Sequence, residues 1–514
     1  MKLLYFPLIF SCMLAIVSCS KDLGNYNYKD INELDIKGVL TNYMVRTGLD
    51  TLHINPTITA TEEQSGSDRY EYLWILKTGS LTFDTISRER NLSYPILLNP
   101  VPYDLFYRVM DKVTGVTWTA NTKITVSTAY SRGLLIMGEN ENGFAEAEML
   151  SMLSDTLHIK GILSKSGLPS LREPISLVHT AGDASYIRLW AMTKTGSYFL
   201  DRATMTATTA NNLGRFLFTS DEIDPQTVHP VVIAPQVRTA AGAVGSTLYR
   251  ALVTVGGDVF SSVPLIMGGD FYNNPINRVA SALDVRIPAA PYLLYPIGSM
   301  SSIMWYDTRN QRFLNHTSIG VSTSSTPLTD GVNDVFPWNQ PVGRTLVYAE
   351  NTRNTDGGST NGNSFAIMKD TDNTSHIYKF YANGTNPAKR AAYKVKAIAT
   401  DFDKASLYAF SSNRTVVFYA VGKTLYAYDY NPGFEKIYTF PELGDAEVTM
   451  VKFDTQMDHV VNSLYIATYD TASKGTLRRF RVGTNPNVVE LSLQDNSTWT
   501  DMIKIKDINW RAIN

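Results

Sequence analysis

The sequence predicts an all-β chain, an immunoglobulin-like β-sandwich followed by a seven-bladed β-propeller. Two observations carry this. Short apolar or alternating runs, each closed by Gly, Asn or Asp, recur along nearly the whole chain. From Ser131 onward, one pattern of apolar strand, polar turn and aromatic strand returns seven times. The composition agrees, with 29 tyrosines and only 18% charged residues, which suits sheets joined by polar loops.

Residues 1–18 read as a lipoprotein signal peptide. Lys2 supplies the positive charge, Leu3 to Val17 the apolar run, and Ser18 the small residue before Cys19. The run is too short to span a bilayer as a helix, and Pro7 interrupts it. Cys19 is therefore the expected lipidation site, and the other cysteine, Cys12, leaves with the signal. The processed chain then has no thiol for a disulfide or a metal. Later segments stay well below about 18 consecutive apolar residues, so the lipid is the expected membrane attachment. Residues 19–30 are polar and rich in Asn and Tyr, and read as a tether.

Residues 31–129 hold six or seven short strands, the pattern of a sandwich. Leu52 to Asn55 alternates. Tyr70 to Leu76 is apolar on both faces and places Trp74 on a middle strand as the core tryptophan. Leu105 to Met110 ends at the turn Asp111 to Gly115, and Val116 to Val126 supplies the next strand.

Residues 130–514 carry the repeat. Its hairpins begin at Gly133, Tyr186, Leu248, Ile303, Phe365, Val416 and Leu464, and the spacing of roughly 54 residues is that of propeller blades. Each hairpin is expected to be the inner pair of its blade. Phe144 to Leu150 favours helix by composition, but stands where a second strand belongs. The final segment, Met502 to Trp510, alternates and is expected to pair with the first unit, closing the ring. Two stacked β-sandwiches are the alternative architecture.

The formal net charge of −2 loses one positive charge with the signal peptide, which argues against nucleic acid. The seven histidines are scattered and form no metal-binding pair. Asp370 to Asn373 has a superficial likeness to a calcium loop but lacks the glycine and the distal glutamate. Val285 to Pro288 is like the arginine segment of sialidases, without the repeated turns those enzymes carry. No Gly-x-Ser-x-Gly elbow or Walker loop is present, so the sequence points to no catalytic residue, cofactor or metal. The loops around Asp270 to Pro275 and Asn333 to Asn339 offer Phe271, Tyr272 and Trp338 as rings that could stack on a peptide or glycan. The same rings could instead fill gaps between blades.

The segment Cys19 to Glu33, with its Gly24-Asn25-Tyr26-Asn27-Tyr28 core, resembles the opening of the PKD-like family lipoproteins of Bacteroidota. Tyr70 to Leu76 and Phe106 to Gly115 resemble that family's PKD sandwich, and Ser131 to Met137 and Phe418 to Asp429 its C-terminal region. The resemblance implies an outer-membrane lipoprotein, exposed at the cell surface and accessory to a Sus-type system. Its partners would be a TonB-dependent transporter and that transporter's lipoprotein lid, and it would carry no catalytic residues. The single acid in Ser20-Lys21-Asp22 departs from the more acidic export signals usual there, which leaves the periplasmic face as the alternative location. Two functions stay open: a non-enzymatic binding or scaffold subunit for nutrient uptake, or a propeller hydrolase or lyase acting on the same nutrient. A carboxylate cluster at the propeller's central channel would favour the enzyme, and a flat aromatic loop face without perturbed acids would favour binding.

Overall fold

The computed structural model describes residues 32–61, 68–153, 155–180, 188–235, 237–238, 244–245, 249–298, 300–457 and 463–511. Cys19, the signal peptide and the tether lie outside the described residues. The chain divides into two compact units, the first ending at Val126 and the second beginning at Ser127. No helix among the described residues is long and apolar enough to cross a membrane.

In the first unit a five-stranded antiparallel sheet runs in the order Asn42–Arg46, Thr117–Ser127, Pro102–Asp111, Tyr70–Lys77, Phe83–Ser87. Two ribbons, Leu34–Lys37 with Thr57–Ala60 and Thr51–Ile54 with Leu92–Pro95, share one core with it. Trp74 is fully buried at its centre, stacked on Tyr107 at 4.2 Å, and its indole N–H donates to the Glu89 carbonyl at 3.1 Å. Truncating such a side chain leaves a cavity that costs about 3–5 kcal/mol. The turn after Met110 is locked by Asp111, which accepts from Arg69 Nε at 2.8 Å and from the Val113 amide at 2.9 Å. The Arg69 guanidinium holds the Asp111 carboxyl down at about 2.

The second unit is a propeller-like series of antiparallel sheets, seven with three or four strands among the described residues. Sheet A contains Thr156–Ile159, Ala145–Met152, Gly133–Glu139 and Lys504–Arg511, and sheet B Pro174–His179, Leu189–Thr193 and Gly196–Leu200. Sheet C contains Pro230–Ile233, Arg250–Thr254 and Val259–Ser262, and sheet D Ile303–Asp307, Arg312–His316 and Thr326–Pro327. Sheet E contains Thr345–Asn351, Ser364–Lys369, Ser375–Tyr381 and Ala388–Lys394. Sheet F contains Leu407–Phe410, Val416–Val421, Thr424–Asp429 and Lys436–Thr439, and sheet G Glu447–Phe453, Ser463–Asp470, Lys474–Val482 and Leu491–Met502.

Each repeated hairpin is found in its sheet, but not as the inner pair. In sheets A, B, C, E, F and G a further strand precedes it, and in sheet D the bridge between Leu294 and Met304 marks that position. The hairpin strands are covered on both faces, which is why they read as near-continuous apolar runs. Ala145 to Leu150 does form a strand, with Phe144 just before it, because its position in sheet A outweighs the helical preference of Ala and Glu.

The faces alternate with period two along each strand. In Gly133–Glu139, Leu135 and Met137 join the cluster shared with sheet B, while Leu134 and Ile136 join the one shared with sheet G. Similar clusters join sheets B and C, C and D, D and E, E and F, and F and G. The order of shared cores therefore returns to its starting sheet. The return depends on Lys504–Arg511, which pairs antiparallel with Gly133–Glu139 across a bulge at Gly138. A Cβ at Gly138 would lie 2.3 Å from the Lys504 carbonyl oxygen, so the two backbones approach as closely as only glycine permits.

Candidate functional site

The strands that precede the hairpins in sheets C, E, F and G line an open cavity of about 400 Å³. Its wall is contributed by sheets C, E, F and G, by the C-terminal strand of sheet A, and by the segment 291–297. The size is that of a small-molecule site. Most of the lining is apolar or aromatic, including Val232, Leu293, Ile297, Met450, Tyr292 and Tyr408.

Glu350 is the distinctive group. It lies on Thr345–Asn351, where period two puts it on the same face as Tyr348, while Ala349 and Asn351 face the other way. Glu350 accepts from the Phe410 amide and, at 3.0 Å, from the Tyr348 hydroxyl. It is half-buried and lines the cavity. Burial pushes the carboxyl up to about 8, against the lowering effects of those two donors and of Lys452. A largely protonated acid in a cleft at neutral pH is the kind of perturbed group found at functional sites.

The rings beside it are fixed. Tyr348 packs against Tyr292 at 5.8 Å and Tyr408 at 5.4 Å. The Tyr292 hydroxyl donates to the Val347 carbonyl at 3.0 Å, and the Tyr408 hydroxyl to the Phe402 carbonyl at 2.8 Å. Burial holds the Tyr292 hydroxyl up at about 12 and raises those of Tyr348 and Tyr408, so all three stay neutral. Asn351 ties the segment 293–295 to sheet E: it accepts from the Tyr295 amide at 3.0 Å and donates to the Leu293 carbonyl at 2.8 Å.

A second polar group sits in the same wall. Lys452 donates to Asp507 Oδ1 at 2.8 Å, to the Ile508 carbonyl at 2.7 Å and to Asn509 Oδ1 at 3.2 Å. Asp507 Oδ2 accepts from Ser176 Oγ and, at 2.8 Å, from Asn509 Nδ2. Sheets G, A and B are thus joined by one network that satisfies the lysine and the aspartate internally.

The residues singled out in the aromatic loops do not belong to this cavity. Tyr272 is fully buried in the core between sheets B and C, and Trp338 is buried in the core between sheets D and E. Trp338 packs edge-on against Phe313, Phe336 and Phe380, with the Lys389 ammonium 5.1 Å from its ring. Phe271 is half-buried and packs on Phe216 and Phe218. The expectation that Tyr272 and Trp338 stand ready for stacking is corrected: hydrophobic burial draws both rings into gaps between neighbouring sheets. Asp370 is bound by Arg344 at 2.6 Å and His376 at 2.9 Å in a hairpin turn, and Arg286 pairs with Asp258 at 2.7 Å. Among the described residues no three or more His, Cys, Asp or Glu side chains gather as metal ligands.

The sequence carries no local motif for the cavity. Glu350, Lys452 and Asp507 come from three strands far apart in the chain, and the only cue is an acid two residues after a tyrosine on an alternating strand.

The chain carries a PKD-like family domain at residues 19–163, a span that covers the described part of the first unit and continues into sheet A. No curated protein matches the chain. Among solved structures it is similar to a quinonprotein alcohol dehydrogenase-like protein from Bacteroides thetaiotaomicron, at 11% identity and a TM-score of 0.37, over 91% of this chain and 96% of that one. It is also similar to a proposed 6-phosphogluconolactonase from Bacteroides uniformis, at 10% identity and a TM-score of 0.40, over 74% of this chain and 99% of that one. A third is the extracellular domain of a proposed one-component system from B. thetaiotaomicron, at 9% identity and a TM-score of 0.36, over 87% of this chain and 54% of that one.

Proposed function

We propose that the chain is a surface lipoprotein of the outer membrane, anchored through Cys19, whose second unit is a closed seven-bladed β-propeller with a ligand site in its central channel. It acts as a non-enzymatic binding or scaffold subunit of a nutrient-uptake complex, beside a TonB-dependent transporter and its lipoprotein lid. The observation that supports the binding role most is the convergence of strands from the sheet series on one aromatic-lined cavity. The cyclic order of shared cores supports the closed ring, and the Ser18-Cys19 junction supports the anchor. The ligand is a small molecule, or the end of a peptide or glycan, that fits about 400 Å³.

Gentle purification of the native protein from membranes tests the complex: a TonB-dependent transporter should co-purify, and its absence would contradict the scaffold role. Screening the purified protein with peptide and glycan libraries tests the site. Retention of a ligand that Val232→Trp abolishes, by narrowing the cavity, is the expected result.

One observation favours the second reading, a hydrolase or lyase. A carboxyl held up at about 8 is poised as a general acid near neutral pH. Turnover of a library member, lost in Glu350→Gln, would establish that reading and overturn the non-enzymatic one.

A further inference from the structure

We infer that the channel takes an organic cation, an ammonium group seated against Glu350 with its apolar body along Tyr292, Tyr348 and Tyr408. The inference rests on the reading of the cavity as a ligand site and names the chemistry that site selects.

The first reason is an unbalanced acid. Both hydrogen-bond partners of Glu350, the Phe410 amide and the Tyr348 hydroxyl, are neutral. A carboxylate offers about four acceptor positions, so there is room for a charged donor. Lys452 does not fill it. Its three N–H bonds are matched by three acceptors on the C-terminal strand. The second reason is the rings. Tyr292, Tyr348 and Tyr408 form a packed row in the cavity wall, and an aromatic face attracts a cation through its quadrupole. The third is the lining, which accepts an apolar body; of its two lysines, Lys452 is already paired with Asp507, and Lys506 is exposed on the C-terminal strand, so the anionic probe below tests whether it draws a carboxylate instead.

The charged and titratable groups around Glu350 are Lys452 on sheet G, Lys506 and Asp507 on the C-terminal strand, and the hydroxyls of Tyr292, Tyr295, Tyr348, Tyr408 and Tyr430. Arg353, beyond Tyr295, donates to the Thr455 carbonyl at 2.8 Å. In the empty site the Glu350 carboxyl is held up at about 8. A cation favours the ionised form, so binding releases a proton. Affinity should rise with pH until the acid is ionised in the free protein. By linkage, the gain from pH 6 to pH 9 is about 100-fold.

The test uses the full chain and three probes of similar size: benzyltrimethylammonium, whose charge does not titrate, benzyl alcohol and phenylacetate. Calorimetry should show binding of the cation alone, about 100-fold tighter at pH 9 than at pH 6. Glu350→Gln should remove both the pH slope and most of the affinity. Its melting temperature at pH 4, below the ordinary glutamate range, where the acid is protonated in both the folded and the unfolded wild type, should match wild type and so report an intact fold. Equal binding of alcohol or phenylacetate, or cation binding indifferent to Glu350→Gln, would overturn the inference while leaving the cavity as a ligand site. Failure of the cation to bind at pH 9 would also overturn it. The cavity reading fails separately, if a library ligand is retained equally by wild type and Val232→Trp.

Discussion

The two units treat a buried acid in opposite ways. In the first, Asp111 is fully buried and clasped by Arg69, and its carboxyl sits at about 2. In the second, Glu350 meets only neutral donors, faces a cavity, and sits at about 8. The cores differ in the same sense. The first unit has one hydrophobic cluster around Trp74, whereas in the second each sheet is shared by two clusters and the series closes on itself. An acid with a matched cation locks a turn. An acid left without one, where strands from most of the sheets converge, is available to a ligand.

The largest effect expected is from removing the closing strand. Deleting residues 500–514 takes Ile505 and Ile508 out of the core between sheets G and A and strips Gly133–Glu139 of a partner. Truncating one buried Ile alone costs about 2–5 kcal/mol, so the melting transition of the whole second unit should fall by more than that. A truncated protein that melts like wild type would break the contrast between a cyclic and a single core.

Trp74→Ala should cost about 3–5 kcal/mol, read by denaturant unfolding of the full chain as loss of the first unit's transition alone. A shift in the second unit's transition as well would mean that the units do not unfold independently. Asp111→Asn should cost about 2–4 kcal/mol, because it leaves Arg69, itself mostly buried, without its carboxylate. The sign in pH follows from the depressed carboxyl. The stability it contributes is complete above the ordinary aspartate range and is lost as pH falls through about 2.

Glu350→Gln should act with the opposite sign. A carboxyl raised in the folded state favours the native protein while protonated, so that contribution is lost as pH rises from the ordinary glutamate range through about 8. The variant should melt with wild type at pH 4 and progressively above it as pH rises through 6 to 9. A variant less stable than wild type at both pH 4 and pH 9 would make Glu350 a structural acid like Asp111.

The hairpins were legible in the sequence because their strands are covered on both faces: Leu134 to Met137 and Val416 to Ala420 read as unbroken apolar runs. The strands before them were not. Thr345–Asn351 and Glu447–Phe453 carry Glu350 and Lys452 into the cavity wall, so they lack a clean apolar period. For the same reason the cavity was invisible, since its acid, lysine and rings meet only when the sheet series closes. The aromatic loops misled because a ring in a polar loop reads the same whether it faces water or, like Tyr272 and Trp338, fills a gap between sheets. The Ser18-Cys19 junction needs no folding to be read, because its signal is local.

The most direct test of the site is the titration of Glu350 itself, followed by carbon NMR of the side-chain carboxyl in the intact protein, with Glu350→Gln assigning the resonance. The account predicts a midpoint near 8 in the free protein, moving down when benzyltrimethylammonium is bound. A midpoint in the ordinary glutamate range, unmoved by the cation, would contradict it.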